Sequence, residues 1–338
     1  MTTETAPAPR YDVADRPPFR LGDLMLRWEV ILLLLLAAVI GFNTWISPYF
    51  LDIYNLSDAT FNFSEKALVA LAMALLIIAR DIDLSVAAII AVASLAMGEA
   101  SLAGAPAPVL VLIGLAVGAA CGAFNGALVT GFGLPAIVVT IGTMSLFRGL
   151  AQVVLGDQAI TTYPESFQAI GQGYIAPNVP VPISFTVFVL LAVLFGFVLH
   201  RTAIGRRIFA LGNNPQAARF SGIPVNRIRF WLFVLTGLMS GLAAVFLTAR
   251  IGSTRPNIAL GFELEAVTMV VLGGVAISGG SGTILGVVLA VLVLGLTTFG
   301  LSLVNVPGIV INVLNGSLLI AAISLPIIAR RVLGRKAA

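Results

Sequence analysis

Charge is what this sequence has least of. Asp, Glu, Lys and Arg make up 10% of its 338 residues, where soluble domains average about 25%. Hydrophobic residues make up 59%, and the mean hydropathy is +1.05. A water-soluble fold of this length cannot bury so much apolar surface, so the bilayer is the expected solvent. Lysine is nearly missing: Lys66 and Lys336 are the only two. The glycine-rich stretches match neither a Walker A loop nor a dinucleotide fingerprint, which excludes ATP hydrolysis by this chain itself. The single histidine, His200, sits beside Arg201 at the end of an apolar run. Metal sites and histidine-based catalytic sets need more partners than that, and neither HExxH nor GxSxG occurs. The reading therefore assigns no catalytic, cofactor-binding or metal-binding residue. The one cysteine, Cys121, excludes an internal disulfide and reads as a small packing residue. No segment is polar enough to form a soluble domain; the longest polar stretches are 1–27, 156–182 and 200–229.

What is present is a succession of apolar runs. A hydrocarbon core about 30 Å thick needs roughly 20 helical residues per crossing. On that measure ten spans are expected, at 28–46, 64–80, 84–100, 109–130, 134–155, 183–199, 229–249, 264–279, 283–303 and 307–325. The fold class is thus all-α and polytopic, with a transmembrane domain over 28–325 between tails at 1–27 and 326–338. The first run begins at Trp28 after a basic tail and lacks a small-residue cleavage site, so it reads as a retained helix. With ten spans, segments 1–27, 200–229 and 326–338 fall on one side and hold 14 of the 19 Lys and Arg residues. The intervening loops at 47–63, 101–108 and 156–182 hold none. That asymmetry places both termini in the cytoplasm. It also explains the net charge of +4 without nucleic acid as a partner.

Glycine spacing marks where helices approach closely. Gly114, Gly118, Gly122 and Gly126 recur every four residues and bare one helix face, with Gly237 and Gly241 as a second small pair. A faint internal echo, GLPAIVVTIGTMSL at 133–146 and NVPGIVINVLNGSL at 305–318, is consistent with two five-span halves of opposite orientation. Two polar breaks interrupt the apolar pattern. One is RDIDLS, holding Arg80, Asp81, Asp83 and Ser85, where spacing allows an Arg80–Asp83 pair or a capping role for Asp83. It reads either as a solvated turn or as part of the solute pathway. The other is LGGVAISGGSGTILG, where Gly279, Gly280 and Gly282 permit unwound backbone lining a cavity.

The most informative polar stretch is TAIGRRIFALGNNPQAARFSGIPVNRIR at 202–229. Asn214 followed by Pro215 reads as an N-cap with a first-turn proline, and Gly222 as a helix terminator. The intervening PQAARFS makes a helix of about two turns, too short to be stable alone. ALGNNPQAARFSGIPVNRIR, flanked by six earlier spans and by LTGLMSGLAA, resembles the cytoplasmic loop of the ribose/xylose-type sugar permeases of bacterial ATP-binding cassette (ABC) importers. IARDIDLSVAAIIAVAS, GLPAIVVTIGTMSLFRGLA and GFELEAVTMVVLGGVAISGGSGTILG resemble three further blocks of that family. The similarity runs over about 30–325, and within the family it is greatest to rhamnose- or autoinducer-2-type permeases.

The resemblance implies a non-catalytic subunit of the bacterial inner membrane. Its partners would be ATP-binding subunits at the cytoplasmic face, a second permease as homo- or heterodimer, and a periplasmic sugar-binding protein. It implies that Asn214, Pro215, Ala218, Arg219, Ser221 and Gly222 form the helix that couples to the ATPase. Asp83, Leu84 and Ser85 match an Asp-Leu-Ser block, and Glu263 and Glu265 match acidic positions. The chain departs from the family pattern at Arg80 and Asp81, where glycines are usual, and at Ser281, where arginine is frequent. Both departures point to a permease paired with a non-identical copy. The competing reading is a stand-alone secondary transporter or channel, which should carry buried ionisable residues for ion coupling. Outside the first break, only Glu99 and Arg148 stand out in the spans.

Overall fold

The structure is a computed structural model that describes residues 28–176 and 179–334. Ten helices occupy the ten expected positions. They are α1 (Trp28–Ile46), α2 (Ile53–Ile78), α3 (Val86–Leu102), α4 (Ala107–Gly131), α5 (Ala136–Leu155), α7 (Ile183–Arg201), α10 (Val225–Ile251), α11 (Phe262–Leu272), α12 (Ile284–Leu303) and α13 (Gly308–Gly334). Seven of these, namely α1, α2, α4, α5, α7, α10 and α12, are apolar and long enough to cross a membrane. By contrast α3 has 17 residues and α11 only 11, and each follows an interruption of the chain. The expected span at 264–279 is therefore a short helix followed by glycine turns. Helix α2 begins at Ile53, inside what reads from sequence as a loop, because Asp52 Oδ1 accepts the amides of Tyr54 and Asn55 and caps it there. The tail at 1–27 lies outside the described residues, and α13 continues past 325 to Gly334.

The stretch 156–182 is not the plain loop its polarity indicates. It carries α6 (Glu165–Gln172) and a small antiparallel hairpin of β1 (Tyr174–Ala176) and β2 (Val179–Pro182). The link after α7 folds into α8 (Ala203–Asn213) and α9 (Pro215–Phe220).

Helix α2 is the centre of the bundle: every residue from Ala67 to Ile78 is buried. It packs on α7, α10, α11 and α12. The pattern of neighbours occurs twice. In the first half α3 packs on α4 and α5; in the second α11 packs on α12 and α13. Likewise α10 lies on α3 and α4 as α2 lies on α11 and α12, and α2 and α10 lie on each other. The backbone repeats too. Gly133 (φ 70°) and Asn305 (φ 59°) each take the left-handed conformation two residues before the proline that opens α5 or α13. Arg80 (φ 70°) and Ala259 (φ 57°) do so in the breaks before α3 and α11. With five helices per copy, each crossing once, the second copy would be inverted relative to the first, the plan of inverted-repeat transporters.

The tightest contact is between α4 and α10. A Cβ on Gly118 would lie 2.7 Å from Gly241 Cα, and one on Gly122 would lie 3.0 Å from Gly237 Cα. Gly114 meets Met97 and Val245, and Gly126 meets Phe230. Backbones this close gain dispersion contact where lipid supplies no hydrophobic drive. Cys121 is buried on the same helix in a small cluster with Ala88, Ile89 and Phe147. Replacing Gly118 by Val should therefore destabilise the bundle by at least about 1–3 kcal/mol. Gly41→Ala, with nothing within 4 Å of the new methyl, should be neutral or slightly stabilising. Thermal unfolding of the detergent-purified variants checks both.

Candidate functional site

The two breaks and the link helices meet at one end of the bundle. Helix α2 ends at Ile78, and Arg80, in the left-handed region, turns the chain toward α3. The carbonyl of buried Ile78, left open by the helix end, accepts the amide of Gly280 at 2.9 Å. The Arg80 guanidinium donates to the Asn213 carbonyl at 3.0 Å, at the last residue of α8. Asn213 in turn donates its side-chain amide to the Gly280 carbonyl at 3.2 Å. This approach needs glycine: a Cβ on Gly280 (φ 75°) would lie 2.8 Å from the Asn213 side chain, and one on Gly279 (φ 79°) 2.9 Å from the Ile78 carbonyl oxygen. Gly282 stands further along the same turn, beside Val275. Break, glycine turn and link are thus one hydrogen-bonded junction.

Helix α9 projects from that junction. Asn214 Oδ1 accepts the amides of Gln216 and Ala217 at 3.1 and 3.0 Å, so the N-cap reads as its sequence indicates. Pro215 opens the helix, Ala218 is its one buried residue, and Ser221 caps its end. Gly222 at φ 79° turns the chain away. Arg219 reaches only Asn226 at 3.3 Å. Beside it Phe220 is 92% exposed, a bare aromatic ring that the sequence reading did not single out, because nothing in PQAARFS distinguishes an outward Phe from a core one.

The charges in the first break do not pair locally. Asp81 is held by Arg229 of α10 through two bonds of 2.6 Å, not by its neighbour Arg80, which is committed to Asn213. Asp83 is fully buried without a cation among the described residues that bond it. Its Oδ1 accepts the Ser85 amide at 2.9 Å and the Ser85 hydroxyl at 2.6 Å, while Asn125 Nδ2 approaches Oδ2 at 3.4 Å. Burial raises its pKa above the usual carboxylate range, against the lowering effect of the Ser85 and Asn125 bonds. Asn125 Oδ1 beside it lacks a partner, the acceptor that a protonated Asp83 would use after an amide flip.

The opposite end of α2 carries more ionisable groups than the sequence reading allowed. Glu65, fully buried, accepts from Arg250 of α10 at 2.7 Å. Lys66 pairs with Glu265 of α11 at 2.6 Å and lies 4.8 Å over the Phe262 ring. Arg148 donates to the carbonyls of Pro256 and Ile258, both at 2.8 Å, in the segment 252–261 between α10 and α11. Each partner is more than a hundred residues away in sequence, which is why spacing does not reveal it. Among the described residues no group of His, Cys, Asp and Glu is arranged to hold a metal ion. His200 Nε2 accepts the Ile284 amide at 3.4 Å.

A family model described as branched-chain amino acid transport system / permease component matches residues 55–323. The autoinducer 2 import system permease protein LsrD of Yersinia enterocolitica serotype O:8 is 36% identical over 302 residues, covering 88% of this chain and 90% of that protein. LsrD of Escherichia coli K12 and that of Shigella flexneri are each 36% identical over 303 residues, covering 88% and 91% respectively. No solved structure matches the chain.

Replacing Asp83 by Asn keeps an acceptor for Ser85 and supplies a donor for Asn125, so stability should stay within about 1 kcal/mol of the parent. Asp83→Ala strands the donors that now converge on the carboxylate and should cost about 1–3 kcal/mol. Thermal unfolding in detergent separates the two; equal losses would mean that an ionised carboxylate is required.

Proposed function

The chain belongs to the branched-chain amino acid transport system / permease component family, and from that premise we infer how its two ends divide the work of import. It is a non-catalytic, multi-pass membrane permease subunit of an ABC importer, working with an ATP-binding subunit and a solute-binding protein. We propose that the α9 end faces the cytoplasm and docks on the ATPase, while the Lys66–Glu265 end faces the periplasm. Both termini then lie inside, in keeping with the 14 of 19 basic residues assigned to that side.

The observation that carries this reading is the junction at α9. A capped helix with an exposed Arg219 and a bare Phe220 has the composition of a docking anchor, aromatic and arginine side by side. Through Asn213, the residue before its cap, it is tied by side-chain-to-backbone bonds to the glycine turn and to Arg80 just beyond α2. Asn214, Pro215, Ala218, Arg219, Ser221 and Gly222 act as the coupling element, with Phe220 as the residue that fills the ATPase groove. Arg80, Asp81, Asp83, Ser85, Gly279, Gly280 and Gly282 form the turns through which it moves the transmembrane helices. The solute is autoinducer 2 or a monosaccharide, as the relatives' naming favours; it favours autoinducer 2 over the rhamnose that the sequence reading offered beside it. The permease works as a pair, and the charged residues at 80 and 81 favour a non-identical companion; recovery of two identical copies from the purified complex would exclude that. A self-sufficient secondary carrier is the competing reading, and the buried Glu65 and Lys66 are the residues it would use. Both are held in closed ion pairs, the static arrangement a scaffold needs.

Phe220→Ala should weaken ATPase binding by about 2 kcal/mol, roughly thirtyfold, and reduce uptake of autoinducer 2 in proportion while the permease stays folded. Gly222→Val should abolish uptake. The check is co-purification of the ATPase together with uptake in reconstituted vesicles. Unchanged uptake in both variants, or accumulation without any ATPase, refutes the coupling assignment.

A further inference from the structure

The end of the bundle opposite α9 encloses a cavity of about 540 Å³ between α2, α10, α11, α12 and α13, within the range of small-molecule sites. Its lining is mixed in a specific way. Phe63, Phe262 and Phe299 supply aromatic faces, and Thr268, Thr298 and Asn315 supply polar groups from three different helices. Asn315 Oδ1 is buried and has no hydrogen-bond partner among the described residues, which leaves an acceptor waiting for a donor. The charged groups inside are closed on each other: Lys66 on Glu265, Arg250 on Glu65. Both interior cations are thus taken, while the second oxygen of Glu65, Oε2, is buried without a hydrogen-bond partner among the described residues. Arg255 stands exposed at the rim with Asn257, and these two also line a second, more polar hollow of about 580 Å³ with Gln152, Asp157 and Gln158. The hollow and the cavity thus share the Arg255–Asn257 wall.

Several structures hold that wall and rim in place. Thr254 and Ile160 exchange both backbone bonds, at 2.8 and 3.1 Å. The Thr254 hydroxyl is bonded to Tyr163 and to Ser94 at 2.6 Å each. Burial pushes the Tyr163 phenol up to about 12, partly offset by the Thr254 bond, so it remains a hydroxyl donor. Arg148 holds the carbonyls of Pro256 and Ile258. The segment 252–261 between α10 and α11 is thereby a fixed strap across the mouth, built before any ligand arrives.

We propose that this cavity is a solute site of the permease itself, taking a neutral, hydroxyl-rich molecule of monosaccharide size that enters by the polar hollow. It deepens the importer reading, on which it rests for the direction of travel. Hydroxyl groups satisfy Asn315, Thr268 and Thr298, and the aromatic faces cover the solute's C–H surface. The paired charges disfavour an ionic solute in the interior, where an added ion would bring its desolvation cost beside cations already taken by Glu65 and Glu265; Arg255 stands outside, at the solvated rim.

The test uses the complete transporter in lipid nanodiscs, with Cys121 replaced by Ala and one cysteine introduced as Thr268→Cys or, on the facing helix, Thr298→Cys. N-ethylmaleimide should label either position, and saturating D-ribose should slow labelling by about tenfold. Gluconate, hydroxyl-rich but anionic, should give little protection. Asn315→Leu in the Thr268→Cys chain should remove most of the D-ribose protection. No labelling at either position, labelling indifferent to D-ribose, or equal protection by gluconate would each overturn the proposal. Uptake of autoinducer 2 in vesicles is measured separately. Protection without ATP-dependent uptake would overturn the importer reading and keep the site, whereas uptake without protection would do the reverse.

Discussion

A chain immersed in hydrocarbon has no water to satisfy its peptide groups, so it can interrupt a helix only where protein supplies every partner. That constraint organises this bundle. The carbonyl at the end of α2 is taken by the Gly280 amide, and the end of α8 by Arg80. The carbonyls of Pro256 and Ile258, between α10 and α11, are taken by Arg148. Trp28 Nε1 donates to Leu272 O where α11 stops, and Asn43 Nδ2 to Leu296 O within α12. Side chains that look misplaced in an apolar sequence are placed where backbone has been left open. Arginine suits this work because a single guanidinium nitrogen carries two N–H donors and can serve two carbonyls at once, as Nη1 of Arg148 does.

The same constraint accounts for the doubled architecture. A break needs a neighbouring helix to cover it, and the covering helix has its own break at the other end of the bundle. Helices α2 and α10 stand in that relation. Ion pairs join them at both ends, Asp81 with Arg229 and Glu65 with Arg250. Arg229 and Arg250 are 21 residues apart on α10, about 31 Å at 1.5 Å per residue, close to the thickness of the hydrocarbon core. The clamps thus sit near the two faces, where charge is least costly, and between them the α4–α10 contact is made of bare backbone.

Much of this could be read from residues alone. Helix existence follows from apolar length, and all ten expected positions carry a helix. Capping chemistry located α9, since Asn214-Pro215 and Gly222 have one common use. Even the short echo at 133 and 305 coincides with a repeated left-handed residue before proline. Other features were hidden for definite reasons. The stretch 156–182 reads as loop because α6 is short and the hairpin strands have three and four residues, below what periodicity can detect. The ion pairs of α2 are hidden because Glu65 and Lys66 look like a boundary until residues 185 and 199 positions away are brought to them. The Arg80–Asp83 pair was allowed by spacing alone, and the left-handed turn at Arg80 sends the two side chains to different partners.

The geometry also determines what a push on α9 can do. Asn213 connects α9 to Gly280 and Arg80, so a displacement there is delivered to the end of α2 and to the glycine turn after α11. Lys66 lies twelve residues before Ile78 on α2, about 18 Å along the helix axis. Glu265 lies on α11, the helix that runs into the glycine turn. The two helices gripped at the junction are therefore the two that meet in the Lys66–Glu265 pair at the far end. A close-packed interior does not absorb such a movement gradually. Tilting α2 against α11 about the buried α2–α10 contact would stretch or close the cavity wall as a unit, while the clamps to α10 hold the axis. If α9 is the coupling helix proposed above, that arrangement would turn work done on a six-residue helix into a change of cavity shape at the opposite face, with no charge required to cross between them.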